Sequence, residues 1–132
     1  MNTPTLPQLP IWRLPSDSRK RNPALMQSIV FDEVAKASGF TILQLQSRDR
    51  HARIAWARQV ALTLLHEFTG LSLAEVGRLV KRDHGTVIYA IKTVKNITGA
   101  YLGLSDEIGL IRVSIQARIE YPKNNSKFTV AG

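Results

Sequence analysis

No cysteine occurs in the 132 residues. That excludes a disulfide scaffold, a thiol nucleophile and a Cys-ligated zinc site. Acidic residues are scarce, with 10 Asp and Glu against 18 Lys and Arg and a formal charge of +8. Long apolar runs are also missing. The longest nearly apolar stretch, Val60 to Leu65, is far too short to cross a bilayer. The N-terminus alternates proline with polar and apolar residues and lacks the apolar core of a signal peptide. A cytoplasmic location is therefore expected. Nucleotide-cradling motifs are absent: there is neither G-x-x-x-x-G-K-[ST] nor G-x-G-x-x-G. The run His66-Glu67-Phe68-Thr69-Gly70 starts like a zinc-protease helix, but Gly70 stands where a second His is required. His51, His66 and His84 fall on different segments, and no nucleophile is paired with a base. The chain reads as a non-enzyme, with no cofactor or metal expected.

What is present divides into an arm, a domain and a tail. Of six prolines, Pro4, Pro7, Pro10, Pro15 and Pro23 fall in the first 23 residues. Residues 1–22 are expected to form a flexible, proline-rich basic arm, with Arg13, Arg19, Lys20 and Arg21 near its end. Leu6, Leu9, Ile11, Trp12 and Leu14 are unusual for a linker and are candidates for docking on the domain or on a partner. Residues 23–121 form the expected domain, and 122–132 a polar tail. Apolar residues make up 44% of the chain, enough for a core.

The periodicity is helical, and no strand-period segment competes strongly with it. Asn22-Pro23 reads as an N-cap followed by a first-turn proline. Met26, Ile29, Val30, Val34 and Ala37 make one stripe, closed by Gly39. Thr41 caps a short second helix carrying Ile42, Leu43 and Leu45. Residues 47–53 form a basic loop. A third helix from about Arg53 to Thr69 buries Ile54, Ala57, Ala61, Leu64, Leu65 and Phe68, and Gly70 ends it. Ser72 and Glu75 have capping-box spacing before a short fourth helix with Leu73, Val76, Leu79 and Val80. Gly77 inside that helix implies a close backbone approach. Asp83 caps a fifth helix whose stripe is Val87, Ala90, Ile91 and Val94, with Thr98-Gly99 expected to break it. Ser105-Asp106-Glu107 is expected to cap a sixth, with Ile108, Ile111, Ile115 and Ile119 inward.

Two helices joined by a tight basic turn, the second opening on Asp83, His84, Gly85 and Thr86, have the outline of a helix-turn-helix. In that motif the second helix enters the major groove by its N-terminal end. Between Ser47 and Lys95 nine basic residues face four acidic ones, a surplus of five. A basic surface of this kind suits phosphates, although a solvated face has the same composition.

Arg82-Asp83-His84-Gly85-Thr86-Val87 resembles the R-D-H-x-T-V signature of the DNA-binding domain of the DnaA replication initiators. Ala57-Arg58-Gln59-Val60-Ala61 and Leu71-Ser72-Leu73-Ala74-Glu75-Val76-Gly77 match in type and spacing. The resemblance covers roughly residues 25 to 98 and implies an all-α bundle of five to six helices with a Trp-repressor-like helix-turn-helix. Its implied function is sequence-specific binding of double-stranded DNA at short initiator-box-like sites, regulating replication or transcription by occupancy at the nucleoid. It also implies roles. Arg50 would enter the minor groove. Arg58 and Gln59 would meet phosphates, with an ordinary exposed helix face as the alternative. Asp83 and His84 would read major-groove edges, with Asp83 also capping through the same oxygen. Thr86 would reach phosphate or base. Lys81 and Arg82 would lie where backbone phosphates run, or Arg82 would brace the turn through a carboxylate. Replication proteins or a second subunit are further candidate partners.

The departures from the family are specific. Gly85 stands where Thr is usual and removes a methyl contact to thymine. The turn before Arg82 is one residue shorter than usual. Trp56 replaces a commonly basic residue, and His66 replaces a lysine. A proline-rich arm stands where the family's ATPase module is expected, which implies a reading head that forms no ATP-dependent filament and melts no origin alone. Two other readings remain open. One is a protein-interaction adaptor using Ile11-Trp12 and an exposed Trp56. The other is a sequence-neutral basic binder.

Overall fold

The computed structural model describes residues 22–120. The arm with its apolar and basic residues, Asn22 excepted, and the tail lie outside the described residues. The described chain is all-α: α1 Pro23–Ser38, α2 Ile42–Gln46, α3 Ala52–Thr69, α4 Leu73–Val80, α5 His84–Ala100 and α6 Leu102–Glu120. None of these helices is long and apolar enough to cross a membrane.

Local chemistry sets most of the boundaries. Asn22 Oδ1 accepts the Leu25 N–H at 3.1 Å, and Pro23 occupies the first turn, where its missing N–H costs nothing. Gly39 and Gly70 close α1 and α3 in the left-handed conformation, at φ 83° and 70°. Thr41 with Gln44 and Ser72 with Glu75 form complete capping boxes at the starts of α2 and α4.

The α5–α6 joint departs from the expected break. α5 continues through Thr98 and Gly99 to Ala100, and α6 begins at Leu102, three residues ahead of the expected Ser105 cap. The Thr98 hydroxyl donates back to the Val94 carbonyl at 2.8 Å, so its hydrogen-bonding demand is met inside the helix. Gly99 lies in open space. The chain turns on the single residue Tyr101, whose carbonyl accepts the N–H groups of Leu104 and Ser105.

The central helix is α3, against which α1, α2, α4 and α5 all pack. Its Ala57, Val60, Ala61, Leu62, Leu64 and Leu65 are all buried. Met26, Ile29, Val30, Phe31 and Val34 approach from α1, Val76 from α4, and Val87, Ala90 and Val94 from α5. Phe31 lies outside the expected α1 stripe and is 2% exposed, because α1 is packed by α3 on one side and α6 on the other. Ala37, at the end of that stripe, is exposed. Ile108 and Ile115 seat α6. Arg118 ties it to α1 by donating to Asp32 at 2.6 Å and Glu33 at 2.9 Å. Arg112 ties it to Glu67 of α3 at 2.8 Å.

The expected close approach at Gly77 is present. A Cβ there would stand 2.7 Å from the Arg82 carbonyl oxygen, a backbone atom that cannot swing aside. Gly77→Ala is therefore expected to lower stability by about 1–3 kcal/mol, as overpacking at a fixed backbone contact does, in chemical denaturation monitored by circular dichroism.

Candidate nucleic-acid interface

The site begins with α2, which is only five residues long. A helix this short leaves almost all its carbonyls without intrahelical partners. At its C-terminal end the Ser47 hydroxyl donates to the Gln44 carbonyl at 2.7 Å. Two arginines collect the rest. Arg58, from the first half of α3, donates through Nε to the Leu45 carbonyl at 2.8 Å and through Nη2 to Gln44 at 3.4 Å. Arg82, from the turn between α4 and α5, donates through Nη2 to the Gln46 carbonyl at 3.1 Å and to the Ser47 carbonyl. Both side chains are half-buried. Arg82 thus braces the turn internally, as one reading expected, but through main-chain carbonyls rather than a carboxylate.

The loop leaving this anchor is held by its own side chains. Ser47 Oγ accepts the Asp49 N–H at 3.2 Å, and Asp49 Oδ1 accepts the His51 N–H at 2.9 Å. These are local side-chain turns of the kind Ser and Asp favour. They leave Arg48 and Arg50 exposed, with no ion pair among the described residues.

The helix-turn-helix is α4, the turn 81–83 and α5. Lys81 closes α4 in the left-handed conformation at φ 62°, the one non-glycine residue so placed among the described residues. Glycine favours that position, and a lysine there carries strain of about 1–2 kcal/mol. The Arg82 N–H returns to the Gly77 carbonyl at 2.8 Å and closes the turn. Asp83 caps α5 with one oxygen: Oδ1 accepts both the Thr86 N–H at 3.0 Å and the Thr86 hydroxyl at 2.7 Å. Both capping bonds thus fall on Oδ1. The N–H groups of His84 and Gly85 have no acceptor among the described residues, so the positive end of α5 is open. His84, Gly85, Thr86, Tyr89 and Lys92 are all exposed. A Cβ at Gly85 would meet nothing closer than Asp83 Oδ1 at 4.0 Å, so space exists for a larger residue.

The structure therefore brings Arg82, Asp83 and the basic loop together at one end of the bundle. Gln59 is half-buried on α3, and its carbonyl accepts the Thr63 hydroxyl. His66 is committed elsewhere: its Nδ1 donates to the Leu71 carbonyl at 3.0 Å. Trp56 is half-buried against the core, beside an open apolar groove of about 1010 Å³ that it lines with Phe40, Ile97 and Ile111. Arg48, to which the sequence assigned no role, also stands exposed on this loop.

Burial and, after it, neighbouring positive charge shape the electrostatics of the two anchoring arginines. Burial first, and then the charge of Arg82, push the Arg58 guanidinium below its ordinary value, with Asp49 acting in the opposite direction. Burial, and then Arg48, push Arg82 down in the same way. Arginines stay charged regardless, so a run of positive charge is fixed in place. Asp83 is held below the usual carboxylate range, chiefly by the Thr86 hydroxyl and then by the Thr86 N–H. A depressed carboxylate pKa contributes stability above its unfolded value and loses it as pH falls through the folded value. Asn is also a good N-cap but does not titrate. Asp83→Asn should therefore match the parent's melting temperature near neutral pH and fall less steeply below pH ~4, in thermal unfolding measured across the acid range.

Comparison with known proteins adds a second line. The family model described as bacterial dnaA protein helix-turn-helix matches residues 27–94. A chromosomal replication initiator protein DnaA from Desulfotalea psychrophila is 36% identical over 90 residues, 68% of this chain and 19% of that protein. Its counterpart from Streptococcus equi subsp. zooepidemicus is 35% identical over 104 residues, 75% of this chain and 23% of that protein. One from Thermoanaerobacter sp. is 37% identical over 68 residues, 52% and 15% respectively. The chain thus spans about a fifth of the length of the curated relatives it matches. The match runs from α1 to within α5 and includes α2, the loop and both helices of the reading motif, so this chain belongs to the DnaA helix-turn-helix family.

Proposed function

We propose that the protein is a non-catalytic reading head for double-stranded DNA, binding short initiator-box-like sites and regulating replication initiation or transcription by occupancy. The observation that supports this most is the Arg82 bridge. It holds a loop carrying exposed Arg48 and Arg50 beside the open N-terminus of α5. On a duplex, a loop and a helix so placed address adjacent minor and major grooves.

In this reading Arg50 enters the minor groove, where a narrow A·T-rich tract deepens the negative potential. Asp83 accepts from a cytosine amino group through Oδ2, and His84 meets a neighbouring base edge. Thr86 keeps its lone pairs, because its proton is engaged by Asp83. Gln59 and Lys81 meet phosphates. Arg58 and Arg82 act first on the loop, holding Arg50 in place, and keep further N–H groups for a strand lying against them. Gly85 offers no methyl to a thymine, so preference at that base pair is relaxed relative to the usual initiator box.

A single module of this kind buries about 600–1,000 Å², which gives modest, strongly salt-dependent affinity. An electrophoretic shift at two salt concentrations, with an initiator-box duplex and a scrambled one, tests the proposal. The box duplex is expected to bind more tightly. Arg50→Ala should weaken box binding roughly tenfold, and scrambled binding much less. Equal losses on both duplexes would remove the minor-groove role. Equal affinity for both duplexes from the start would mark a sequence-neutral binder, and no shift at either salt would leave the adaptor.

A further inference from the structure

Between the basic loop and the turn of the helix-turn-helix lies a notch of about 470 Å³. Its polar wall is Gln27, Gln46, Arg48, Lys81 and Arg82, and the end of α4 supplies its apolar floor. Three cations from two separate segments face this space, and no carboxylate lines it. Arg82 is fixed there by its Nη2 bonds to the Gln46 and Ser47 carbonyls. Among the described residues its Nε and Nη1 hydrogens have no protein acceptor. Lys81 and Arg48 are exposed and make no ion pair among the described residues. Arg48 raises the cost of charge on Arg82, second only to burial. The carboxylate that feels Arg48, Asp83, does so more weakly than it feels Thr86 or His84. The notch is thus a place where positive charges repel one another and no carboxylate lies among them.

Such a place suits an acceptor-only anion with oxygens on more than one side. Its position narrows the source. The notch separates the loop from the turn that leads into the reading helix, and in a duplex the element separating a minor groove from the adjacent major groove is a sugar-phosphate strand. We propose that the notch seats one backbone phosphate of the bound duplex, held jointly by Arg48 of the loop and Lys81 of the turn, with Arg82 as its fixed wall. This rests on the DNA-reading proposal above and deepens it. Seating the phosphate cancels the repulsion between loop and turn, so occupancy locks Arg50 and α5 into one register.

The test uses duplexes in which backbone phosphates are replaced, one at a time, by neutral methylphosphonates. The parent protein should show one position between the two grooves where neutralisation weakens binding several-fold. The double variant Arg48→Gln, Lys81→Gln should bind more weakly and become insensitive at that position while remaining sensitive elsewhere. Its salt slope should be lower by about 0.9 for the lost phosphate. A variant with the parent's full sensitivity profile overturns the assignment. A second arm needs no duplex: melting temperatures are compared in inorganic phosphate and in chloride at equal ionic strength. Phosphate should stabilise the parent and not the double variant. Stabilisation confined to the parent, with no duplex binding at any salt, keeps the anion seat and overturns the DNA reading. Equal stabilisation of both proteins, or of neither, together with an unchanged methylphosphonate profile, overturns the seat itself.

Discussion

The carbonyls at the end of α2 are the constraint on which the rest of the site depends. A five-residue helix cannot satisfy them itself, and leaving a partly buried carbonyl unpaired costs about 1–3 kcal/mol. Two guanidiniums from α3 and from the helix-turn-helix turn meet that need. Their planar forks each reach two acceptors, which a lysine ammonium on a flexible stem does less well. One consequence is structural: three segments distant in sequence are pinned at a single point. The other is electrostatic. Guanidiniums bound to neutral carbonyls keep their full charge, so the anchor itself is positive.

The turn carries a comparable tension. Gly77 lets the backbone of Arg82 approach, while Lys81 holds a conformation that glycine adopts more easily. A lysine there places a cation at the rim of the notch, where a glycine would place none. Strain in the turn and repulsion among Arg48, Arg58 and Arg82 are opposed by the core beneath. There Val76 and Val87 are fully buried, and the Arg118 and Arg112 ion pairs hold α6 across the far side. In the proposed reading the surface is set up for an anion before one arrives, as preorganised binding requires.

Much of this was legible in the sequence because caps are local. Asn22, Thr41, Ser72 and Asp83 each bond within three residues, so residue type and spacing reveal them. The α5–α6 joint was misplaced for the same reason: Thr98-Gly99 looks like a break locally, and only the back-bond to Val94 and the neighbouring helices keep it helical. Phe31 escaped because a one-stripe pattern assumes one packing partner, and α1 packs against α2, α3 and α6. The roles of Arg58 and Arg82 were the least visible. Their acceptors are main-chain oxygens 13 to 36 residues away, and a carbonyl leaves no mark in residue identity. The family resemblance located these arginines, and only the fold shows what they hold.

The central claim is that Arg82 acts on recognition through the loop that carries Arg50. The most direct measurement is a double-mutant cycle of Arg50→Ala and Arg82→Met in affinity for a box duplex, with folding of each variant checked by circular dichroism. The account predicts strong coupling. Arg50→Ala costs about tenfold when Arg82 is present and little once Arg82→Met has released the loop, an interaction of about 1 kcal/mol or more. Additive losses, with Arg50 mattering equally in both backgrounds, would contradict it.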